Sequence, residues 1–252
     1  MTVFYFTSTG NSLAVARHIG GTLVSIPQVV DSGSLHYKDD VIGVVFPIYF
    51  YGDPKMVRRF LNKVKLEADY IFAVGTCGNT AGASMLNLQK QARKNGYRFD
   101  YVNYLRMVDN FLPIFEMNAE VKKLPKKKVE ENLAKIADDI KNRRHLNATA
   151  SLPLRAMTAL ANTMMNSAGK KARKYIVSGN CNKCGICAKV CPAGNIAVTD
   201  TVNFSEQCEW CMGCLHNCPQ NALHLRREKS AKRWRHPEVS LNGIIAANNR
   251  GS

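Results

Sequence analysis

Eight of the nine cysteines in this 252-residue chain lie between Cys181 and Cys218, and their spacing constrains the fold more than any other feature. Cys181, Cys184, Cys187 and Cys191 form C-x-x-C-x-x-C-x-x-x-C, followed by Pro192. The pattern returns 27 residues later at Cys208, Cys211, Cys214 and Cys218, followed by Pro219. In a reducing compartment such thiols serve metals or catalysis rather than disulfides. Three thiolates on one tight turn can occupy three corners of an iron–sulfide cubane, and a remote fourth closes it. Clusters held this way would staple a domain too small to rely on an apolar core. Zinc is the alternative. It prefers paired C-x-x-C elements across a longer loop, so the third cysteine, the fourth with its proline, and the repetition favour iron and sulfide.

Residues from about 178 to 226 resemble the bacterial ferredoxins that carry two 4Fe–4S clusters, in which the fourth cysteine of each run ligates the other cluster. The resemblance implies one cluster on Cys181, Cys184, Cys187 and Cys218, and another on Cys191, Cys208, Cys211 and Cys214. Gly185, one step past Cys184, and Gly213, one step before Cys214, would let backbone N–H groups approach the sulfurs and tune the potential. His216 and Trp210 lie near ligand positions; surface or packing roles are expected of both.

The N-terminal part has a different grammar. Short apolar runs at Val3 to Phe6, Thr22 to Ile26, Val41 to Phe46, Tyr70 to Gly75 and Phe99 to Tyr104 read as strands. Between them, helices are expected over Ser12 to Ile19, Pro54 to Val64, Ala83 to Asn95 and Lys127 to Arg143, the last with Val129, Leu133, Ile136 and Ile140 at helical spacing. This βα alternation predicts an α/β fold, a doubly wound parallel five-stranded sheet of flavodoxin-like type. A small α+β ferredoxin-like domain with two 4Fe–4S clusters follows it. The expected divisions are 1–148 for an FMN-binding domain, 149–177 for a linker, 178–228 for the ferredoxin domain and 229–252 for a basic tail. The linker holds a Met-rich helix, Leu152 to Ala168, expected to pack against a domain, and a basic joint of Lys170, Lys171, Arg173 and Lys174. The end of the tail, including Asn248 and Asn249, reads as loose terminus.

Directly after the first strand come Thr7, Ser8, Thr9, Gly10, Asn11 and Ser12, a hydroxyl-rich turn opening a helix. Such a turn offers N–H groups, hydroxyls and the positive dipole end to a dianionic phosphate. The glycine and lysine patterns of triphosphate and dinucleotide loops are missing. After strands three and four come Pro47, Ile48, Tyr49, Phe50, Tyr51, Gly52 and then Thr76, Cys77, Gly78, Asn79, Thr80, Gly82. The first loop's aromatics could stack on a flavin ring and the second loop's backbone could bond its polar edge, although a packed strand end is the plainer reading of Tyr49. The second loop carries no aromatic, so one flavin face is left open or covered by something else. Cys77 reads as filler of a tight turn. Met107 to Met117 form a loop that could approach the flavin, with no chemistry evident in it.

The T-x-T-G-x-S turn resembles the FMN-phosphate loop of flavodoxins. Over residues 1 to about 226 the chain resembles flavodoxin–ferredoxin fusion proteins of anaerobic microbes, which implies FMN plus two 4Fe–4S clusters and low-potential electron flow. Electron transfer is thus the leading expectation. The alternative is a flavin-dependent reductase of a small acceptor; against it, Asp53, Asp109 and His18 read as scattered surface singles rather than an acid–base pair. The formal charge is +16. Two clusters and an FMN phosphate at about −2 each would leave roughly +10, a surface whose commonest meaning is a solvated face and whose sharper reading is a site for an acidic redox partner. No recognised nucleic-acid fold accompanies that charge. No apolar run spans a bilayer, and MTVFYF lacks a basic leader, so a cytoplasmic protein is expected.

Overall fold

The computed structural model describes residues 1–33, 35–166 and 175–250. The first stretch builds Thr2–Tyr5 (β1), Asn11–Ile19 (α1), Thr22–Ser25 (β2), Ile26–Val29 (α2), His36–Lys38 (β3), Val41–Pro47 (β4), Lys55–Lys63 (α3), Lys65–Glu67 (β5), Tyr70–Cys77 (β6), Ser84–Lys94 (α4), Tyr101–Arg106 (β7), Met117–Lys122 (α5), Leu124–Lys127 (α6) and Val129–Lys141 (α7). Five of these strands form one sheet in the order β2-β1-β4-β6-β7, all paired parallel. Counted along that sheet the order is 2-1-3-4-5, the flavodoxin-like winding. All five expected strands are present. The pair β3 and β5, which lies outside the main sheet, was not expected; each has only three residues, too few for period-two patterning to register.

Alternation along the strands divides the core. Phe4, Phe6, Ile42, Val44, Phe46 and Ala73 face α3 and α4 with Phe60, Leu61, Met85 and Leu88. Val3, Tyr5, Val45, Phe72 and Val74 face the opposite layer with Leu13, Val15, Leu133 and Ile136. Burying each Leu, Ile, Val or Phe contributes about 1.5–3 kcal/mol, so both faces must be covered. At Gly43, in the middle of β4, a Cβ would stand 2.1 Å from the Phe72 ring, and the missing side chain gives that ring its seat.

Further elements are Leu152–Asn166 (α8), Tyr175–Val177 (β8), Ile186–Lys189 (α9), Ile196–Val198 (β9), Val202–Phe204 (β10), Gly213–His216 (α10), Leu223–Leu225 (β11) and Leu241–Asn248 (α11). Antiparallel pairs join β8 to β11 and β9 to β10, with α9 and α10 after the cysteine turns. Each copy of the sequence repeat thus forms a strand, a short helix and a strand, and both strand pairs join one copy to the other.

Two expectations are corrected. Among the described side chains the linker helix is not packed along a face: Thr158 is buried, while Leu152, Met157 and Leu160 are exposed. Thr158 holds the helix by accepting the Ala83 N–H at 2.9 Å. Its expected end at Ala168 and the joint of Lys170, Lys171, Arg173 and Lys174 lie outside the described residues. The tail is not a loose terminus. Residues Ser230 to Asn248 turn back onto the α/β part, and Ile244 and Ala247 of α11 enter the same layer as α1 and α7. Arg233 is nearly buried and paired with Glu228 at 3.0 Å. The Met107 to Met117 loop also anchors the cysteine-bearing part: Leu112 and Met117 are fully buried in its core, against Met212, Leu215 and Leu223.

Candidate functional site

Beyond the carboxyl ends of β1, β4, β6 and β7, four loops enclose a cavity of about 490 Å³. This is where a doubly wound sheet accommodates a ligand. Of the expected residues, Thr7, Ser8, Thr9, Asn11 and Ser12 line it, with Pro47 to Tyr51 and Thr76 to Thr80. Gly10, Gly52 and Gly82 stand behind as turn residues. Gly82 is left-handed (φ 59°), and a Cβ there would meet Thr158 Oγ1 and Tyr51 Cδ1, both at 2.8 Å.

The hydroxyl turn is buried at Thr7, Ser8, Thr9 and Ser12. Ser12 Oγ shares a hydrogen bond with Thr76 Oγ1 at 2.8 Å, and Ser8 Oγ with the Tyr49 hydroxyl at 3.0 Å. Asn110 donates to Thr9 Oγ1 at 2.5 Å, and Asn11 donates to Val108 O at 3.1 Å. Asn11 Oδ1 is buried with no protein partner. The first-turn N–H groups of α1 have no intrahelical acceptor, so this end of the cavity is rich in donors and suits an anion. The residues fit a phosphate-bearing cofactor such as FMN.

Tyr49 and Gly52 exchange both backbone hydrogen bonds, at 2.8 and 2.9 Å. Between them Phe50 (φ 50°) and Tyr51 (φ 60°) are left-handed, a two-residue turn normally built from Asn and Gly. Holding bulky residues there costs on the order of 1–3 kcal/mol each, an expense found at ligand sites. The strain displays Phe50 to a partner from the other half of the chain. Its ring stacks on Trp210 with centroids 5.6 Å apart and planes at 12°, and Phe111 meets both edge-on. Trp210, Cys211 and Met212 complete the cavity wall, with Trp210 beside the first loop's Phe50.

Asp109 was expected at the surface; instead it lines the cavity, as do Glu120, Lys123 and Lys127. Burial pushes its carboxyl up to about 6, against the Phe111 N–H that favours the charged form. A Cβ on Gly78 would stand 2.1 Å from Asp109 Oδ2, so only glycine lets this carboxyl approach. Lys127 Nζ donates to Met107 O at 2.6 Å and to Glu120 at 3.3 Å. Asp109 follows β7 at the ligand end of the sheet, and that position was the sequence signal that would have found it. Asp53 is likewise buried rather than on the surface, and it pairs with Arg58 at 3.1 Å. Burial raises the Cys77 thiol to about 12, which leaves it an unreactive turn residue.

The eight other cysteines gather in two groups across the repeat. Cys187, raised to about 11 by burial, also feels Cys218, Cys181 and Cys184. Burial raises Cys214 well above its ordinary value, and it feels Cys211, Cys191 and Cys208 and, last, Cys187 of the other group. Backbone N–H groups serve the sulfurs: Asn195 donates to Cys191 and Ala222 to Cys218, each four residues on and at 3.3 Å, and Trp210 donates to Cys208 at 3.3 Å. Among the described residues no three His, Cys, Asp or Glu groups converge to hold a single metal ion. A cubane takes its four thiolates at separate iron corners, and spaced sets of four with N–H donors on the sulfurs suit that chemistry.

The halves meet at the hydroxyl turn. His216 is buried; its Nδ1 accepts the Trp234 N–H at 3.0 Å and Nε2 faces Asn110 O at 2.7 Å. The ring is therefore neutral with its proton on Nε2, in keeping with a pKa lowered by burial to about 4. Glu209 Oε2 accepts the Lys55 N–H at 2.9 Å at the start of α3.

No family model matches the chain, and no curated protein matches it. Solved structures similar to it include a provisionally named flavoprotein from Bacteroides uniformis, 18% identical over 42% of this chain and 89% of that one, with a TM-score of 0.32. Two-electron reduced flavodoxin from Megasphaera elsdenii is 17% identical over 41% and 83%, with a TM-score of 0.30. The Trp repressor binding protein of Bacillus subtilis is 10% identical over 42% and 83%, at 0.31. The flavodoxin-like fold stated above rests on strand order and parallel pairing. No helix among the described residues is long and apolar enough to cross a membrane.

Proposed function

We propose that the chain transfers electrons between FMN, held in the 490 Å³ cavity, and two 4Fe–4S clusters held by Cys191, Cys208, Cys211 and Cys214 and by Cys181, Cys184, Cys187 and Cys218. The observation that carries this reading is the shared wall: one cavity has a phosphate-type turn at one end and Cys211 among its lining residues. FMN would supply the conversion between two-electron and one-electron chemistry, and the clusters would supply one-electron conduction. Thr7 to Ser12 would hold the phosphate, and the stacked pair of Phe50 and Trp210 would offer the ring one apolar wall that excludes water. The set with Cys191 and Cys211 would be the cavity's neighbour, and the set with Cys184 would face an external protein, an acidic one on grounds of charge.

Anaerobic purification with iron, sulfide and released-flavin assays on one sample tests this. About eight iron, eight sulfide and one FMN per chain are expected. Zinc in place of iron, or iron without flavin in a sample refolded with excess FMN, would sink it.

A reductase of a small acceptor is the second reading, favoured by Asp109 and the Glu120, Lys123 and Lys127 group in the cavity wall. Substrate-saturable turnover of an added acceptor by the pre-reduced protein would establish it; linear dependence on carrier concentration would not.

A further inference from the structure

Three consecutive carbonyls of the hydroxyl turn are tied to the C-terminal half of the chain. Asn248 Nδ2 donates to Thr7 O at 3.0 Å across 241 positions. Asn217 Nδ2 donates to Ser8 O at 3.0 Å. The His236 N–H donates to Thr9 O at 2.8 Å. Because a peptide unit is planar, its C=O and the following N–H point in opposite directions. Anchoring the Thr7 and Ser8 carbonyls therefore leaves the Ser8 and Thr9 N–H groups on the other side of the loop.

The segment supplying two of these donors is itself firmly seated. Asn248 is 1% exposed, and Ile244 and Ala247 are packed in the core. Ser25 Oγ donates to Ala247 O, and Gln28 donates to Ala246 O at 2.6 Å. The approach is close: at Gly10 (φ 102°) a Cβ would lie 2.9 Å from both His236 Cβ and Val239 Cβ. Glycine at this point serves the seating of the C-terminal strap as well as its own left-handed conformation.

We infer that residues 236–248, with Asn217, form a positioning strap that holds Thr7 to Thr9 in the shape that binds an anion, so that phosphate affinity in the cavity depends on Asn248. This rests on the FMN reading above and adds to it a part of the chain that neither a flavin domain nor a cluster domain requires. Asn248 touches the loop and not the ligand. Its loss should therefore weaken a ligand's phosphate and spare the ring.

The test compares FMN with riboflavin, which has the same ring and ribityl chain without the phosphate, on full-length chains Asn248→Leu and wild type, by flavin fluorescence quenching. Leu keeps the branched outline, with bulkier methyl groups, and removes the donor, leaving the buried Thr7 carbonyl unsatisfied. Expected is an FMN affinity about tenfold weaker, with riboflavin changed less than twofold. Equal weakening of both ligands, or of neither, overturns the inference. Should the variant fail to fold, hydrogen exchange on the wild-type chain decides by reciprocity. FMN must raise protection of the 241–248 amides more than riboflavin does, and equal protection overturns the strap. A wild-type chain that binds neither flavin counts against the flavin reading instead. The variant and wild type are then compared with inorganic phosphate, whose binding must weaken in Asn248→Leu for the strap to stand.

Discussion

Cys184 of the first run is exposed and Cys181 and Cys187 are half-buried, whereas Cys208, Cys211 and Cys214 of the second run are all buried. The spacing of the two runs is the same; the surroundings differ because the α/β domain covers one of them. Cys211 shares a wall with the ligand cavity, and Trp210 beside it is sandwiched into the Phe50 and Phe111 cluster. The first run's turn, with Gly185 at its apex, meets no neighbour that a Cβ on that glycine would touch. A duplicated motif has thus been made unequal by docking. Burial and N–H donors to sulfur set cluster potentials, so clusters held as proposed would differ in potential between the two sets.

The largest expected effect separates the two sets directly. Cys211→Ala and Cys184→Ala should each bring iron from about eight to about four per chain if the sets are independent clusters. Only Cys211→Ala should stop electrons from dithionite-reduced clusters reaching the flavin, as followed by stopped-flow absorbance. Equal loss of flavin reduction in both variants would erase the distinction between inner and outer clusters.

Trp210→Ala should act at the wall itself. It removes a stacked pair worth about 0.5–1.5 kcal/mol beyond area burial, and it opens the cavity on the side of the cysteine-bearing part. Flavin affinity should fall about tenfold for FMN and riboflavin alike, unlike the strap variant, and thermal unfolding should move only a few degrees. Unchanged affinity would mean that the ring of the ligand does not lie against Trp210.

Asp109→Asn gives the smallest effect, and its sign follows from burial. Its carboxyl ionises near 6 in the folded chain, above the ordinary 3.8, so the folded state retains a proton the unfolded chain has released. Stability from this group is complete below about pH 4 and is lost as pH rises through 6. Among the charged groups that bear on it, Glu120 pushes the same way while Lys127 and Lys123 oppose. The cofactor-free Asn variant should therefore melt above wild type at pH 8 and together with it at pH 4. A constant offset across that range would show that the carboxyl does not titrate as placed.

The α/β half was largely legible because parallel strands buried on both faces read as continuous apolar runs, as in Val41–Pro47 and Tyr70–Cys77. Positions along the first three ligand loops were legible for the same reason: they follow strand ends. The C-terminal strap was not read, although Ser240 as an N-cap before Leu241, Ile244 and Ile245 is a helix signal, because basic residues before it suggested a solvated tail. Asp109 was missed because a single carboxylate in sequence has no partner to announce it. Its neighbours Gly78 and Glu120 arrive from other elements.

From the sequence alone came what is local: cysteine spacing, the hydroxyl turn at a helix start, and the apolar periods that specify strands and helices. These depend on residues a few positions apart, whose relation the backbone geometry already dictates. Tertiary structure alone decided that Trp210 joins the cavity wall, that one cysteine set is more deeply buried than the other, and that Asn248 holds Thr7. Each of these joins residues far apart in the chain, and such pairings are chosen by which faces must be buried together, a choice that no local pattern encodes.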